Sequence, residues 1–390
     1  MDSVGNDRIT HLDGLRGICA LIVVFHHFAA AFYPSIIFGE LAKRHSFVEW
    51  FFYATPLNLL FAGNFAVTTF FVLSGYVLSY TFFKNGKLSF IQSMAIRRYP
   101  RLVGPVFFSV LIGYFLIHFG FQFHHLITDV TFSHLWLGKM FLDQGSIWEA
   151  IYQGLLGAFI DPHSWRYNHV IWSMYYEFWG SFLVFSFLSL FGKYQKRFVL
   201  YFFVSIIFWN SYFLGFILGM MTADLFCSQL INKTSPLFRP RIITLFFLIA
   251  LLLGSYPMFE VENTFYHYFA FRIFQGNEQM ILLHTIGSWF LLLSFLSSKI
   301  LHRLFSFSIF RFLGKISFSV YLLHPLIIVS FSSLVFYLSH LFFSYHLSVF
   351  ISFSISFLFI LLLSHFYYEF IDQKSMALSR LFVKKFAKRK

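Results

Sequence analysis

The feature that most constrains this chain is its set of long apolar runs, such as Leu245 to Leu253 and Ile355 to Leu363, which carry no charged residue. A helix that crosses a bilayer needs about 20 mostly apolar residues, whereas strands of a membrane barrel alternate over about 10. Runs of this kind exclude a barrel and predict an all-α, polytopic helical membrane protein. Bounded by charged or Pro/Gly/Asn-rich stretches, ten candidate spans lie near 17–34, 57–83, 105–123, 171–191, 198–210, 212–228, 242–259, 280–298, 318–340 and 347–371. The fifth and sixth are separated only by Asn210 and Ser211. Only 12% of the residues are charged, about half the share usual for a soluble domain, so a water-soluble globular enzyme is excluded.

Charge placement tests the topology independently, because cytoplasmic loops are enriched in Lys and Arg. With the N-terminus inside, the inner segments hold 24 of the 29 basic residues and the outer segments hold Lys43, Arg44, Lys139, Arg166 and Arg272. This split predicts ten spans with both termini cytoplasmic. It also accounts for the net charge of +13 through orientation and contact with anionic membrane lipid, so no nucleic-acid partner is needed to explain it. Residues 1–372 read as one membrane domain and 373–390 as a basic amphipathic cytoplasmic tail lying on the inner leaflet. The longest outer stretch, about 124 to 170, is aromatic enough to predict a structured cap. Cys19 and Cys227 fall in apolar runs and read as free, buried thiols.

Ionisable groups at membrane depth are costly and mark sites. Arg16 stands at the inner mouth of the first span. His27, eleven residues on, lies about 16 Å deeper and within about 20° of the same helical face. The two are expected to line one cavity from the cytoplasmic surface to the midplane, with His26 pointing away. Glu177 sits just inside the outer end of the fourth span, four residues after Ser173 on the same face; a direct chemical role and a structural bond between helices are equally open. Arg97, Arg98 and Arg101 form a cluster in an inner loop before the third span. Guanidinium groups grip phosphate in two-pronged fashion, although charge alone favours a simple topological anchor. His324 precedes Pro325 within the ninth span, and proline frees a carbonyl that this imidazole can satisfy. No metal signature, Gly-rich phosphate loop or nucleophile elbow is evident, and His124-His125 has no carboxylate at ligand spacing.

The run His11-Leu-Asp-Gly-Leu-Arg-Gly-Ile-Cys-Ala-Leu-Ile-Val-Val-Phe-His-His27 resembles the opening of the integral-membrane acyltransferase family 3, whose mark is Leu-Asp-Gly-Leu-Arg-Gly followed by a His in the first span. Four further blocks match in the family's order: Phe70-Phe-Val-Leu-Ser-Gly75, Arg97-Arg-Tyr-Pro-Arg101, Trp172-Ser173 with Glu177, and Leu313-Gly-Lys-Ile-Ser-Phe-Ser-Val-Tyr-Leu-Leu-His-Pro325. The resemblance extends from residue 11 to about 372. It implies a ten-helix enzyme of a bacterial inner (plasma) membrane that moves an acyl group, most often acetyl from acetyl-CoA, onto a hydroxyl of a surface polysaccharide or glycolipid such as lipopolysaccharide O-antigen. Arg16 and His27 match the family's essential Arg and His. Arg98 and Arg101 match its Arg-x-x-Arg element, thought to serve the CoA donor. Many members carry an acid where this chain has Thr68 and Thr69, so no carboxylate role transfers there. Some also append a soluble esterase-like domain; here transfer is expected to be completed within the membrane domain or by a partner.

The residues and the resemblance together lead to an expected catalytic set of His27, Arg16, Glu177 and Ser173, a donor-binding set of Arg97, Arg98 and Arg101, and further site residues Trp172, Tyr321 and His324, with acetyl-CoA as co-substrate and no metal. CoA phosphates are expected at the arginines, with the thioester reaching His27 as general base and Glu177 orienting His27 or handling the acceptor. A covalent acyl intermediate on His27 or Ser173 stays open. The rival class is a transporter or exporter of a lipid-linked or acidic solute, disfavoured because no inverted repeat is evident. A longer acyl donor is the remaining alternative.

Overall fold

The computed structural model describes residues 10–141, 143–228, 239–259, 261–270, 274 and 277–387. It is all-α among the described residues. The principal helices are α1 (Thr10–Phe32), α2 (Gly63–Asn85), α3 (Leu88–His118), α4 (Trp172–Phe191), α5 (Arg197–Ile207), α6 (Phe213–Cys227), α7 (Pro240–Gly254), α8 (Glu278–Ser297), α9 (Ser308–Ile327), α10 (Tyr345–Tyr367) and α11 (Gln373–Ala387). A π turn, Ile328–Ser332, carries α9 on to His340, and a second, Tyr368–Asp372, joins α10 to α11. We call the face where α1 begins near and the face where it ends far.

Each of the ten expected runs forms a helix, and seven are long and apolar enough to cross a membrane. The helices α5, α6 and α7, with 11, 15 and 15 residues, fall short of a full span. Asn210 and Ser211 do separate two helices. The third run differs most from expectation. Its helix begins at Leu88 rather than near 105, so Arg97, Arg98 and Arg101 stand on α3 and not in a loop. Pro100 and Pro105 both lie inside the helix. In a bundle, neighbouring groups re-satisfy the carbonyls that proline frees. The turn into α3 is set by Gly86 at φ 67°, a left-handed conformation that favours glycine.

Between apolar helices in lipid, association rests on close packing of small residues and a few polar bonds. Two crossings show this. A Cβ on Gly75 of α2 would lie 2.2 Å from the Phe216 carbonyl oxygen, and one on Gly219 of α6 would lie 2.1 Å from the Val72 carbonyl oxygen. At the other, Gly314 of α9 leaves no room for a Cβ beside the Asp13 carbonyl, and Gly17 of α1 meets Leu313 and Gly314 in turn. This second crossing sets Arg16 and His27 opposite Lys315, Tyr321 and His324. Thr68 and Thr69 both bond Ser288 Oγ, at 2.8 and 2.9 Å, and fasten α2 to α8.

The described residues between 124 and 170 form short helical turns and the helical segment Ile147–Ile160. They dock on the far end of α1, where Ser133 Oγ donates to the Ala30 carbonyl at 2.6 Å. The tail helix α11 runs on from α10 and packs against the near end of α3, with Ser375 Oγ filling the space that a Cβ on Gly104 would need. Cys19 and Cys227 are free, the first buried and the second half-buried.

Candidate active site

Two sizeable cavities lie inside the bundle. The near cavity, of about 280 Å³, is walled by α1, α2, α3, α4, α9 and the junction of α10 with α11. Its charged lining comprises Arg16, Arg98, Arg101 and Lys315 with Asp13, Glu177 and Asp372. Most of these cations are engaged. Arg16 pairs with Asp13 at 3.2 Å, one turn away on α1, and Lys315 pairs with Glu369 at 2.7 Å. Arg98 is buried, and its Nη2 donates to the Glu177 carboxylate and, at 3.1 Å, to the Glu177 backbone carbonyl. Ser74 Oγ donates to the same carboxylate at 2.8 and 3.1 Å. Arg101 is exposed to the cavity and makes no hydrogen bond or ion pair among the described residues. Arg97 is not part of this lining; its Nε donates to the Ser93 carbonyl of its own helix at 3.2 Å.

The far cavity, of about 370 Å³, is lined by His26, His27, His163 and His169, by Trp165, Trp172, Tyr176 and Tyr212, and by Asn64. His27 faces this cavity and not the near one, so Arg16 and His27 do not share the single channel expected from their helical spacing. What stands between them is the wall that both cavities share, Val67 of α2 and Tyr321 of α9. His26 does not point away either, since it lines the far cavity while its Nδ1 bonds the Phe61 carbonyl at 2.7 Å.

The partner of His27 is His324. Its Nε2 lies 3.0 Å from His27 Nδ1, and its own Nδ1 lies 2.9 Å from the Val320 carbonyl. A carbonyl only accepts, so His324 Nδ1 carries the proton and the neutral ring presents a lone pair at Nε2. His27 Nδ1 then faces two acceptors, that lone pair and the Val23 carbonyl at 3.0 Å, and must carry its proton there. This network assigns the remaining lone pair to His27 Nε2, which has no hydrogen-bond partner among the described residues. Trp136 and His169 flank the same ring, at 5.3 and 6.1 Å between centroids. The arrangement is that of an imidazole held in one tautomer by a second imidazole.

Glu177 does not orient His27. Its carboxylate is claimed by Arg98 and Ser74 and ties α4 to α3 and α2, because a guanidinium at membrane depth needs a counter-charge. Ser173 lines the near cavity; its hydroxyl donates to the Val170 carbonyl at 3.0 Å and accepts from Tyr321 at 2.7 Å. No imidazole lies within hydrogen-bond reach of it among the described residues, so it lacks the base that would make it a nucleophile. Trp172 lines the far cavity against Tyr212, at 5.2 Å between ring centroids. Sequence reasoning gave no role to Ser74, Lys315 or Asp372, nor to His169, Tyr212 and Trp136. The first two stand inside the quoted blocks Phe70–Gly75 and Leu313–Pro325, and that position was the one signal that could have found them.

Apolar helices long enough to cross a membrane, enclosing one charged and one aromatic cavity, are those of a polytopic membrane protein. The acyltransferase-3 family model, described as an acyltransferase domain, matches residues 9–365, and the chain belongs to that family. Over 210 residues it is 29% identical to the O-acetyltransferase PaAT-1 of Phomopsis amygdali, an alignment covering 48% of this chain and 41% of that protein. The chain thus spans less than half the length of that relative. No solved structure matches it.

Proposed function

We propose that this membrane acyltransferase moves an acetyl group from acetyl-CoA, bound at the near cavity, to a hydroxyl of a surface polysaccharide or glycolipid bound at the far cavity, and that it does so in a bacterial inner membrane with the near face cytoplasmic. The observation that carries the reading is the imidazole pair, which leaves the His27 Nε2 lone pair facing the far cavity.

The near cavity fits a phosphate-bearing donor in the chemistry of its residues. Arg101 offers a planar donor set that makes no hydrogen bond among the described residues, and Arg16 and Lys315 add positive charge at the same wall. The donor supplies an acyl carbon activated as a thioester. The far cavity has no Lys, Arg, Asp or Glu in its described lining, which suits an uncharged polyol. Indole and phenol faces offer apolar surface to a sugar ring, and Asn64, Tyr212 and the imidazoles offer hydrogen bonds. His27 Nε2 takes the proton of the acceptor hydroxyl, while His324 holds the ring in the productive tautomer and accepts hydrogen-bond density from Nδ1 as positive charge develops. The Arg98–Glu177 pair fixes α3 against α4 and so keeps Arg101 at the cavity wall.

The test is label transfer from acetyl-CoA to an acceptor glycan by purified protein. His27→Ala should lower kcat by about 10² to 10⁴-fold, the usual range for a general base, with the apparent KM for acetyl-CoA little changed. Full activity in His27→Ala would refute the base assignment.

A further inference from the structure

The two cavities share two wall residues, Val67 and Tyr321. Val67 is apolar, so the polar element of the partition is Tyr321, which is buried at 5% exposure. Its hydroxyl lies 2.7 Å from Ser173 Oγ, on the near-cavity wall, and 3.0 Å from the carbonyl of Val170, on the far-cavity wall. Ser173 Oγ donates to the same Val170 carbonyl at 3.0 Å. With its proton so used, Ser173 accepts from Tyr321, and the phenol is held across the line between the cavities. Neither the imidazole pair nor the arginines need this bond.

Its position gives it a purpose. If the two substrates enter from opposite faces, the acyl carbon must be reachable by the acceptor hydroxyl and closed to water. Excluding water protects a reactive group from wasteful hydrolysis. We propose that Tyr321, latched on Ser173, is a gate between the cavities that keeps far-side water from an acyl thioester on the near side. This rests on the acyl-transfer reading above. Tyr321 is a positioning residue: it acts by closing the passage, and opening it means giving up its hydrogen bond to Ser173 and its contact with the Val170 carbonyl. The reaction it suppresses is hydrolysis, in which a water oxygen bonds the acyl carbon, the carbon–sulfur bond breaks, one water proton goes to the departing thiolate and the other is released with the carboxylate.

The experiment measures free CoA thiol released from acetyl-CoA by the reconstituted full chain, with and without acceptor. Without acceptor, Tyr321→Ala should release thiol about tenfold faster than wild type, while its acetyl transfer falls. Tyr321→Phe and Ser173→Ala each remove only the latch. Each should raise acceptor-independent release by about two- to tenfold, the worth of one hydrogen bond, and the double variant should add nothing further. A Val77→Cys probe in the near cavity, with Cys19 and Cys227 replaced, should react with an impermeant thiol reagent supplied at the far face in Tyr321→Ala vesicles only. If wild type transfers acetyl and these variants release thiol no faster than it does, the gate is refuted. If wild type itself transfers none, it is the underlying reading that fails. Should Tyr321→Ala fail to fold, the Phe and Ser173→Ala pair carries the test alone.

Discussion

The near and far cavities are similar in size and opposite in chemistry. The near one is lined by four cations and three carboxylates, whereas the far one has neither Lys, Arg, Asp nor Glu in its described lining and is built from imidazole, indole and phenol. They abut at Val67 and Tyr321. The contrast teaches that charge in this protein serves two separate ends. Most of the charge lining the near cavity is engaged within the protein: Arg16 with Asp13, Arg98 with Glu177, Lys315 with Glu369. What remains for a ligand is Arg101 on one side and an uncharged, hydrogen-bonding surface on the other.

The largest effect that would sharpen this contrast is on stability. Removing one partner of a buried ion pair leaves an uncompensated charge and costs about 3–5 kcal/mol. Glu177→Ala should therefore lower the thermal unfolding midpoint in detergent sharply, and activity with it. A variant as stable as wild type would mean that Arg98 and Glu177 do not hold α3 against α4. His324→Ala comes next. It deletes the acceptor that fixes the His27 tautomer and should reduce kcat about tenfold or more with little change in either KM. An unchanged kcat would show that the Val23 carbonyl alone suffices. The smallest effect is at Arg97, which bonds its own helix and stands outside the cavity lining. Arg97→Ala should change the KM for acetyl-CoA by less than about twofold, the mark of a surface substitution; a large rise would return it to the donor site.

How much of this was legible in the sequence follows from which interactions are local. The ten helices were readable because the bilayer forces every backbone polar group into intrahelical bonds, so hydropathy alone marks them. The pairing of an Asp-Gly-Leu-Arg-Gly start with a His eleven residues on was likewise a one-helix matter. The proton assignment on His27 was not, because it depends on His324, 297 residues away, and on the glycine-to-glycine crossing of α1 with α9. The Arg98–Glu177 bond was hidden for the same reason. The start of α3 was misplaced because the charged stretch before 105 bounds the apolar run but belongs to the same helix. Tyr321 was singled out by its motif, but that it stands between two cavities is a property of several packed helices and of no single stretch of chain.

The most direct test of the division into donor and acceptor sides is a pair of KM measurements on two variants. Arg101→Ala removes the free guanidinium of the near cavity, and Trp172→Ala removes an aromatic wall of the far one. A charge-assisted contact is worth about 1.5–3 kcal/mol, so Arg101→Ala should raise the apparent KM for acetyl-CoA about 10- to 100-fold and leave that for the acceptor in place. Trp172→Ala should do the converse. If both substitutions raise the KM of the same substrate, the two cavities are one site and the division into donor and acceptor sides is wrong.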